Sequence, residues 1–541
     1  MNDTAGADAF PGADQTVKRR WSIAGVVTCC ALALAFRIPC LRWGLPFLFH
    51  PDEPTNLSVV QRMLKQHDLN PHFFKYPSLF FYANAVVELL DYGVCRALGI
   101  LHSLSDLPDV DVPIDGSGFT SLPSAFLAAR LFAAACAVAT VWLAYRLGRA
   151  LSDDVHAGLL SALLVAVSPS VLRDSRWMAP DGAVTLAATA TMLASVNLLR
   201  FGRTRDYVWA SVLAGVTASL KYNGGLVGVS VCAAALLRDG RRVFRNPWFY
   251  AVPVIALGSF LLTSPFVVFD FHEFRSDFLK ERAHYATGHD GAEGHTLAFY
   301  WGYLLDWEGF GALLALFGVV LGIVRKNARV AVLSVFCAVY FCFINLFNTR
   351  NGQTIVPMLP TLLVLAAWFS VEGLTFVTGR LERLKAPSAA RVALVLAVVA
   401  GLVYTPFTGS ISRTRLLMLK DNRELAANWV AEHIPDHAHI AIERYACYIN
   451  RKRYSLKATR GLELLEPAWL RQHEDYLIFA GDSYNRYVLE PDQYHRQAAQ
   501  YRALFREFEL VKAFDDRKHG GEILIYRTRA DVPYITGKNA G

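Results

Sequence analysis

Long apolar runs rich in Leu, Ala and Val alternate along most of this chain with short polar breaks, many holding clustered arginines. Runs of that length exceed the needs of a soluble core and predict membrane helices. The first covers Trp21 to about Phe36, behind Lys18-Arg19-Arg20. Further spans are expected at Leu122–Leu147, Ala157–Leu172, Gly182–Leu199, Tyr207–Leu220 and Gly224–Leu237. Phe249–Val268, Phe310–Val324, Val330–Phe347, Ile355–Ser370 and Val392–Tyr404 follow, which makes about eleven spans. From about Ser412 the pattern changes. Leu425, Trp429 and Val430 among polar neighbours predict an amphipathic helix ending at Ile434-Pro435. His439–Ile442, Tyr476–Ala480 and Ile523–Tyr526 predict short buried strands, and Tyr494–Phe508 another helix. The chain therefore divides into a disordered cytoplasmic N-terminus (1–20), a transmembrane unit (21–411) and a small extracytoplasmic α/β domain (412–541).

One apolar stretch decides the topology. Pro77 to Ile100 is long enough to span, but Glu88, Asp91 and Arg96 interrupt it. If it crossed, the basic clusters around Arg203, Arg241, Lys326 and Arg383 would all face outward. If it lies on the outer surface they all face the cytoplasm, as the positive-inside rule requires. The second arrangement is expected, within a large first outer loop of residues 43–121. Ala31–Ala35 offers a signal-peptide cleavage site, but the apolar run continues towards Phe49 and is read as an uncleaved first helix.

Composition agrees: 54% of the 541 residues are hydrophobic and only 18% charged. The formal charge of +8 resides in loop clusters, so it marks cytoplasmic loops in a lipid bilayer and excludes nucleic acid as a partner. Most of the nine cysteines lie in apolar runs, with no CxxC pair and no zinc spacing.

Against that background the stretch Phe49-His50-Pro51-Asp52-Glu53-Pro54 is unusual. Two adjacent carboxylates sit at the membrane edge, where ionised groups are costly unless they serve a function. The flanking prolines are expected to keep both acids out of a regular helix; the alternative is that they open the helix that follows. The same outer face collects Lys75, the turn Arg173–Asp181, the turn Lys221–Asn223, a long loop with His284, His289, Asp290 and His295, and Arg350. Carboxylates and lone cations on loops above a helical scaffold are the make-up of an active site. Tyr445, Tyr448, Tyr484 and Tyr487 are candidate sugar platforms, with packing the commoner use of such rings.

These landmarks resemble those of the family-39 glycosyltransferases, which have the GT-C membrane fold. That group includes protein O-mannosyltransferases and bacterial transferases of aminoarabinose. The resemblance rests on Asp52-Glu53, Lys75-Tyr-Pro77, Ser175-Arg176 followed by Asp181, Lys221-Tyr-Asn223 and Pro357-x-x-Pro360. One departure is Phe74, where relatives often have a glutamate before the lysine.

The resemblance implies a GT-C-like enzyme that moves a sugar from a polyprenyl-phosphate donor to a hydroxyl of a lipid, glycan or protein acceptor. A bacterial inner membrane is the expected location, with the active site outside. A phosphate leaving group needs cations rather than a general acid, whereas the acceptor hydroxyl needs a base. Asp52 is the expected base and Glu53 its catalytic or orienting partner. Lys75 and Lys221 are expected at the donor phosphate, with Arg350 a third cation. Asp181 and His50 are expected to hold Lys75 or a sugar hydroxyl, or to orient the site. An acid at a helix start is stabilised as the carboxylate, so positioning would have to supply much of Asp52's effect. No cofactor or metal is expected. A divalent ion on His50, Asp52, Asp181, His289 or His295 is the alternative. The competing function is a transporter or flippase of lipid-linked sugars, which would want charges along the spans rather than at their ends.

Overall fold

The computed structural model describes residues 11–114, 117–288, 293–515 and 520–532 of the chain. Helix α1 (Pro11–Arg37) begins ahead of the basic cluster, so the N-terminus expected to be disordered is helical from Pro11; residues 1–10 lie outside the described residues. The segment expected to form the first outer loop carries β1 (Phe47–Leu48), α2 (Asp52–Gln66), α3 (Ser78–Ala97), β2 (Asp111–Ile114) and β3 (Ser117–Phe119). Its three short strands form one sheet in the order β1-β3-β2. Next come α4 (Pro123–Ser152), α5 (Val155–Val167), α6 (Pro169–Asp174), α7 (Asp181–Phe201), α8 (Thr204–Leu220), α9 (Gly228–Asp239) and α10 (Pro247–Thr263). Two further helices, α11 (Phe266–Phe269) and α12 (Phe271–Thr287), precede α13 (Thr296–Glu308), α14 (Phe310–Val324), α15 (Ala328–Ile344), α16 (Leu359–Arg383) and α17 (Ser388–Leu417).

By length and composition α1, α4, α7, α16 and α17 are able to cross a membrane. Two pairs, one joining the segment that holds α9 to α10 and the other joining α13 to α14, are each bent by 112° and raise the number to seven. α5 and α15 are shorter apolar helices, and α3 is not among the candidate spans. Two expected spans are broken by proline. Ala157–Leu172 stops at Val167, because Pro169 lacks the N–H needed to continue the ladder; Ser168 instead caps α6, accepting from Val171 N at 3.2 Å. Likewise α10 ends at Thr263, just before Ser264-Pro265.

Small residues draw the central helices together. A Cβ on Gly148 would lie 2.8 Å from the Ala157 carbonyl, and one on Gly158 would lie 2.9 Å from that of Tyr145. Backbone contact of that kind is how membrane helices associate where lipid removes the hydrophobic drive between them. Large apolar side chains point outward from α10 (Val254, Leu257, Leu262) and from α17 (Val392, Leu396, Tyr404), a surface suited to lipid.

The chain leaves the membrane unit at the end of α17, Leu417, slightly beyond the boundary expected at 412. The C-terminal domain runs α18 (Asn422–His433), β4 (His439–Glu443), β5 (Ser455–Thr459), α19 (Pro467–His473), β6 (Tyr476–Ala480), α20 (Gly481–Val488), α21 (His495–Glu507), β7 (Glu509–Phe514) and β8 (Ile523–Arg527). Its five-stranded sheet has the order β5-β4-β6-β8-β7, with β5, β4 and β6 parallel and β8 and β7 antiparallel. The three strands visible in the sequence are the central ones. Residues of edge strands β5 and β7 are largely exposed or half-buried, so those strands carry no apolar run. Ile440, Ile442, Ile478 and Ile525 face α18, while Leu477, Phe479 and Leu524 pack with Tyr501 and Leu504 of α21.

The domain docks on the first outer loop. Tyr448 stacks on Phe119 with ring centroids 5.3 Å apart and donates to Asp111 Oδ2 at 2.6 Å. Arg423 donates to the Phe49 carbonyl at 3.2 Å.

Candidate active site

The acidic pair opens α2, with Pro51 as its N-cap and Pro54 in its first turn. The prolines therefore do not exclude Asp52 and Glu53 from the helix. In the first turn an N–H has no intrahelical partner to lose, so Pro54 is tolerated there. Being adjacent on a helix, the two carboxylates point different ways. Glu53 is 0% exposed. It accepts from Arg130 Nε at 2.9 Å and Nη2 at 2.7 Å, and from Met178 N at 2.9 Å. Burial alone would raise its pKa, but the charge and hydrogen bonds of Arg130 reverse that and hold it below the usual glutamate range. Its hydrogen bonds all run to Arg130 and Met178, so Glu53 fixes α2 against α4 and the turn before α7, an orienting contact.

Asp52 is half-buried. Its N–H donates to His50 Nδ1 at 3.3 Å, and the buried His50 ring packs on Trp177 with centroids 5.2 Å apart. His50 thus orients the start of α2.

Lys221 closes α8, and Asp181 opens α7. Their side chains meet at 2.8 Å, both largely buried. Burial would depress the Lys221 pKa; the charge of Asp181 overrides it and keeps the ammonium above the ordinary lysine range. Asp181 therefore holds Lys221, and Lys75 is not its partner as expected. The two residues after Lys221 are also engaged. Tyr222 Oη donates to the Phe74 carbonyl at 3.1 Å, and Asn223 Nδ2 donates to Tyr340 Oη at 3.0 Å. Lys75 is exposed, its Nζ 5.8 Å from the Phe73 ring centre. Phe74, which stands where relatives carry an acid, is fully buried against Phe274 of α12.

Tyr76 links these groups. Its hydroxyl pKa is raised first by burial and then by the charges of Asp52 and Asp181. Asp52 and Asp181 thus lie near one ring, with Lys221 held on Asp181 and Lys75 next to Tyr76 in the chain, where α2 and α7 begin and α8 ends. Arg350 stands apart, facing the C-terminal domain with Nη2 3.6 Å from Glu490 Oε2.

Of the possible metal ligands, His289 lies outside the described residues. Among the described residues, the grouping with metal-like spacing is His72, Asp270 and Glu273, where α12 meets the first outer loop; none of the three was anticipated. Of the four tyrosines, Tyr448 packs on the small sheet, and Tyr484 and Tyr487 pack around Tyr501. Tyr445 instead lines a cleft of about 600 Å³ together with Phe49, Pro51, Asp482, Arg486 and Glu490. Pro51, which lines the cleft, lies immediately before Asp52, so the cleft opens beside the start of α2.

Arg130 and α12 were missed in the sequence. Arg130, a fully buried guanidinium in the apolar first half of α4, also donates to the Leu41 and Trp43 carbonyls at 2.7 and 2.9 Å. A cation within an expected span was the available signal. α12 has mixed polarity and no long apolar run, so nothing in its sequence marked it as a cover for the site.

Residues 117–269 match the family model described as dolichyl-phosphate-mannose-protein mannosyltransferase, a segment that holds Asp181 and Lys221 but not Asp52 or Lys75. No curated protein matches the chain in sequence. Archaeal oligosaccharyltransferase AglB from Archaeoglobus fulgidus, solved with an inhibitory peptide and a dolichol-phosphate, is similar over 95% of this chain and 75% of its own, with TM-score 0.55 and 11% identity. ArnT from Cupriavidus metallidurans, bound to undecaprenyl phosphate, is similar over 95% of this chain and 99% of its own, with TM-score 0.52 and 13% identity. These likenesses give the chain the fold shared by the two solved structures, and residues 117–269 are similar to the mannosyltransferase family.

Proposed function

We propose that the protein transfers a sugar from a polyprenyl-phosphate donor to an acceptor hydroxyl at the outer membrane face, with inversion at the anomeric carbon. The observation that supports this reading is the half-buried Asp52 at the start of α2, one residue from the cleft-lining Pro51 and close to the Lys221–Asp181 ion pair through the Tyr76 ring. Two proteins of similar fold were solved with polyprenyl phosphates bound, which supports a donor of that class.

In this reading Lys75 and Lys221 face the donor phosphate. Asp181 keeps Lys221 charged and in place, so the cation need not reorganise as the glycosidic bond breaks. The acceptor, a lipid, glycan or protein, enters by the cleft. Asp52 takes the hydroxyl proton as the oxygen attacks C1, and the electron pair of the C1–O bond leaves on the phosphate. No general acid is required, because a phosphate departs as an anion. Attack opposite the leaving group inverts C1, and a single base separates this arrangement from a two-carboxylate glycosidase.

The experiment is release of free polyprenyl phosphate from a panel of polyprenyl-phosphate sugars by purified protein. Asp52→Asn keeps the shape and removes the base, so turnover is expected to fall about 10²-fold or more with donor affinity little changed. Near-normal turnover of Asp52→Asn with a hydroxyl acceptor would remove Asp52 from the role.

A further inference from the structure

One face of α12 meets all three loops that carry a candidate cation. Helical spacing places Phe274, Asp277, Phe278, Glu281 and Tyr285 along a single stripe. At its start, Asp277 Oδ2 accepts from Phe74 N at 3.1 Å, and Phe274 packs edge-on against the Phe74 ring at 6.0 Å, beside Lys75. One turn on, Phe278 meets Tyr222 edge-on at 5.7 Å, beside Lys221. At its end the Tyr285 carbonyl accepts from Asn348 N and Thr349 Oγ1, each at 3.3 Å, just before Arg350. The other end of the helix is pinned to the first outer loop, with His72 Nδ1 2.8 Å from Glu273 Oε2 and Asn70 Nδ2 donating to Asp270 Oδ2 at 2.8 Å. The position of α12 over the site is thus fixed at several points.

Glu281 falls on this stripe between Phe278 and Tyr285, half-buried. Its neighbours on the stripe are committed to aromatic packing or to backbone hydrogen bonds. Its own carboxylate has no hydrogen-bond or ion-pair partner among the described residues. Burial raises its pKa, the charges of His284, Lys75 and Lys221 pull it down, and that of Asp52 pushes it up again. The carboxyl therefore shares the surroundings of the two lysines and of the base. A phosphate would be repelled by it, and an ionised carboxylate can only accept hydrogen bonds, so it suits a ligand rich in hydroxyl donors.

We propose that Glu281 accepts hydrogen bonds from the hydroxyl groups of the donor sugar, making it a specificity-determining residue of the transferase. The sugar is one bond from the phosphate, and the stretch between the phosphate cations and Asp52 is where its ring must lie. This assignment rests on the donor reading above.

The test uses the full-length protein, Glu281→Gln and Glu281→Ala. It measures kcat/KM for a polyprenyl-phosphate sugar that the wild type accepts and for its single-deoxy counterparts, alongside equilibrium binding of sugar-free polyprenyl phosphate. Loss of one charge-assisted hydrogen bond predicts that preference for the parent sugar over one deoxy counterpart drops about 10- to 100-fold in Glu281→Ala. The drop should come from the parent substrate, with polyprenyl phosphate bound as by the wild type. Equal losses on all donors, or weakened binding of sugar-free polyprenyl phosphate, would overturn the role while leaving the transferase function standing. A wild type that turns over no polyprenyl-phosphate sugar would overturn both. Glu281→Gln, nearly isosteric, decides the matter if the Ala variant does not fold: a reduced preference supports the role, and an unchanged preference in the folded Gln variant overturns it.

Discussion

Replacing Arg130 by Met should destabilise the fold severely, and replacing Glu53 by Gln should do nearly as much. The pair is 0% exposed on both sides. Glu53 accepts three N–H donors, two of them from Arg130, and Arg130 also serves the carbonyls of Leu41 and Trp43. Arg130→Met strands a buried carboxylate on one backbone donor and leaves two carbonyls short of a partner. Breaking one side of a buried ion pair costs about 3–5 kcal/mol, enough to shift a folding equilibrium by more than 100-fold. Glu53→Gln leaves the guanidinium without a counter-charge at a similar cost. The double variant buries neither charge unpaired, so its loss should be about 2 kcal/mol or more below the sum of the singles. Unfolding equilibria in detergent or bilayers, across wild type, both singles and the double, measure these values. Additive losses, or singles within about 1 kcal/mol of wild type, would refute the argument. A natively stable Glu53→Gln with turnover reduced about 10²-fold would instead return Glu53 to the chemistry.

Lys75→Ala and Lys221→Ala should each raise the donor KM and lower kcat, because the phosphate is charged when bound and gains charge as the bond breaks; purely additive, small effects would place both lysines at lipid headgroups. Lys221→Arg should rescue only in part, since Asp181 meets Nζ at 2.8 Å in a site shaped for a compact ammonium. For topology, an impermeant thiol reagent should label a cysteine at Asp482 and spare one at Arg241 in a cysteine-free background; the reverse pattern would turn the site to the cytoplasm. In the C-terminal domain, burial pushes Glu443 up to about 8 from 4.5, even though its oxygens accept from Leu462 N and Ala480 N. Between those pH values the folded domain keeps a proton that the unfolded chain releases. Stability should therefore fall by up to about 1.4 kcal/mol per pH unit as pH rises, levelling off above about 8. Urea unfolding across pH 5–8.5 checks this, and a slope unchanged in Glu443→Gln would assign it to another group.

What the sequence determined by itself was whatever depends on local period and composition. The apolar runs behind α4, α7 and α16 needed no tertiary context, because a bilayer demands that length of apolar helix wherever it is crossed. The same holds for β4, β6 and β8, whose buried residues are consecutive in the chain. Asp52, Lys75, Asp181 and Lys221 were also legible as candidates, since charge at the edge of an apolar run stands out against its surroundings. Their pairing was not. Which acid holds which cation depends on where helix ends meet, and Asp181 chose Lys221 over Lys75 because α7 and α8 bring their outer ends together. Glu53 and Asp52 are neighbours in the chain, yet the rotation of about 100° from one helical residue to the next sends the first into a buried ion pair and leaves the second half-open. α12 was the element least visible beforehand, because its role comes from the loops it lies across and not from any period of its own.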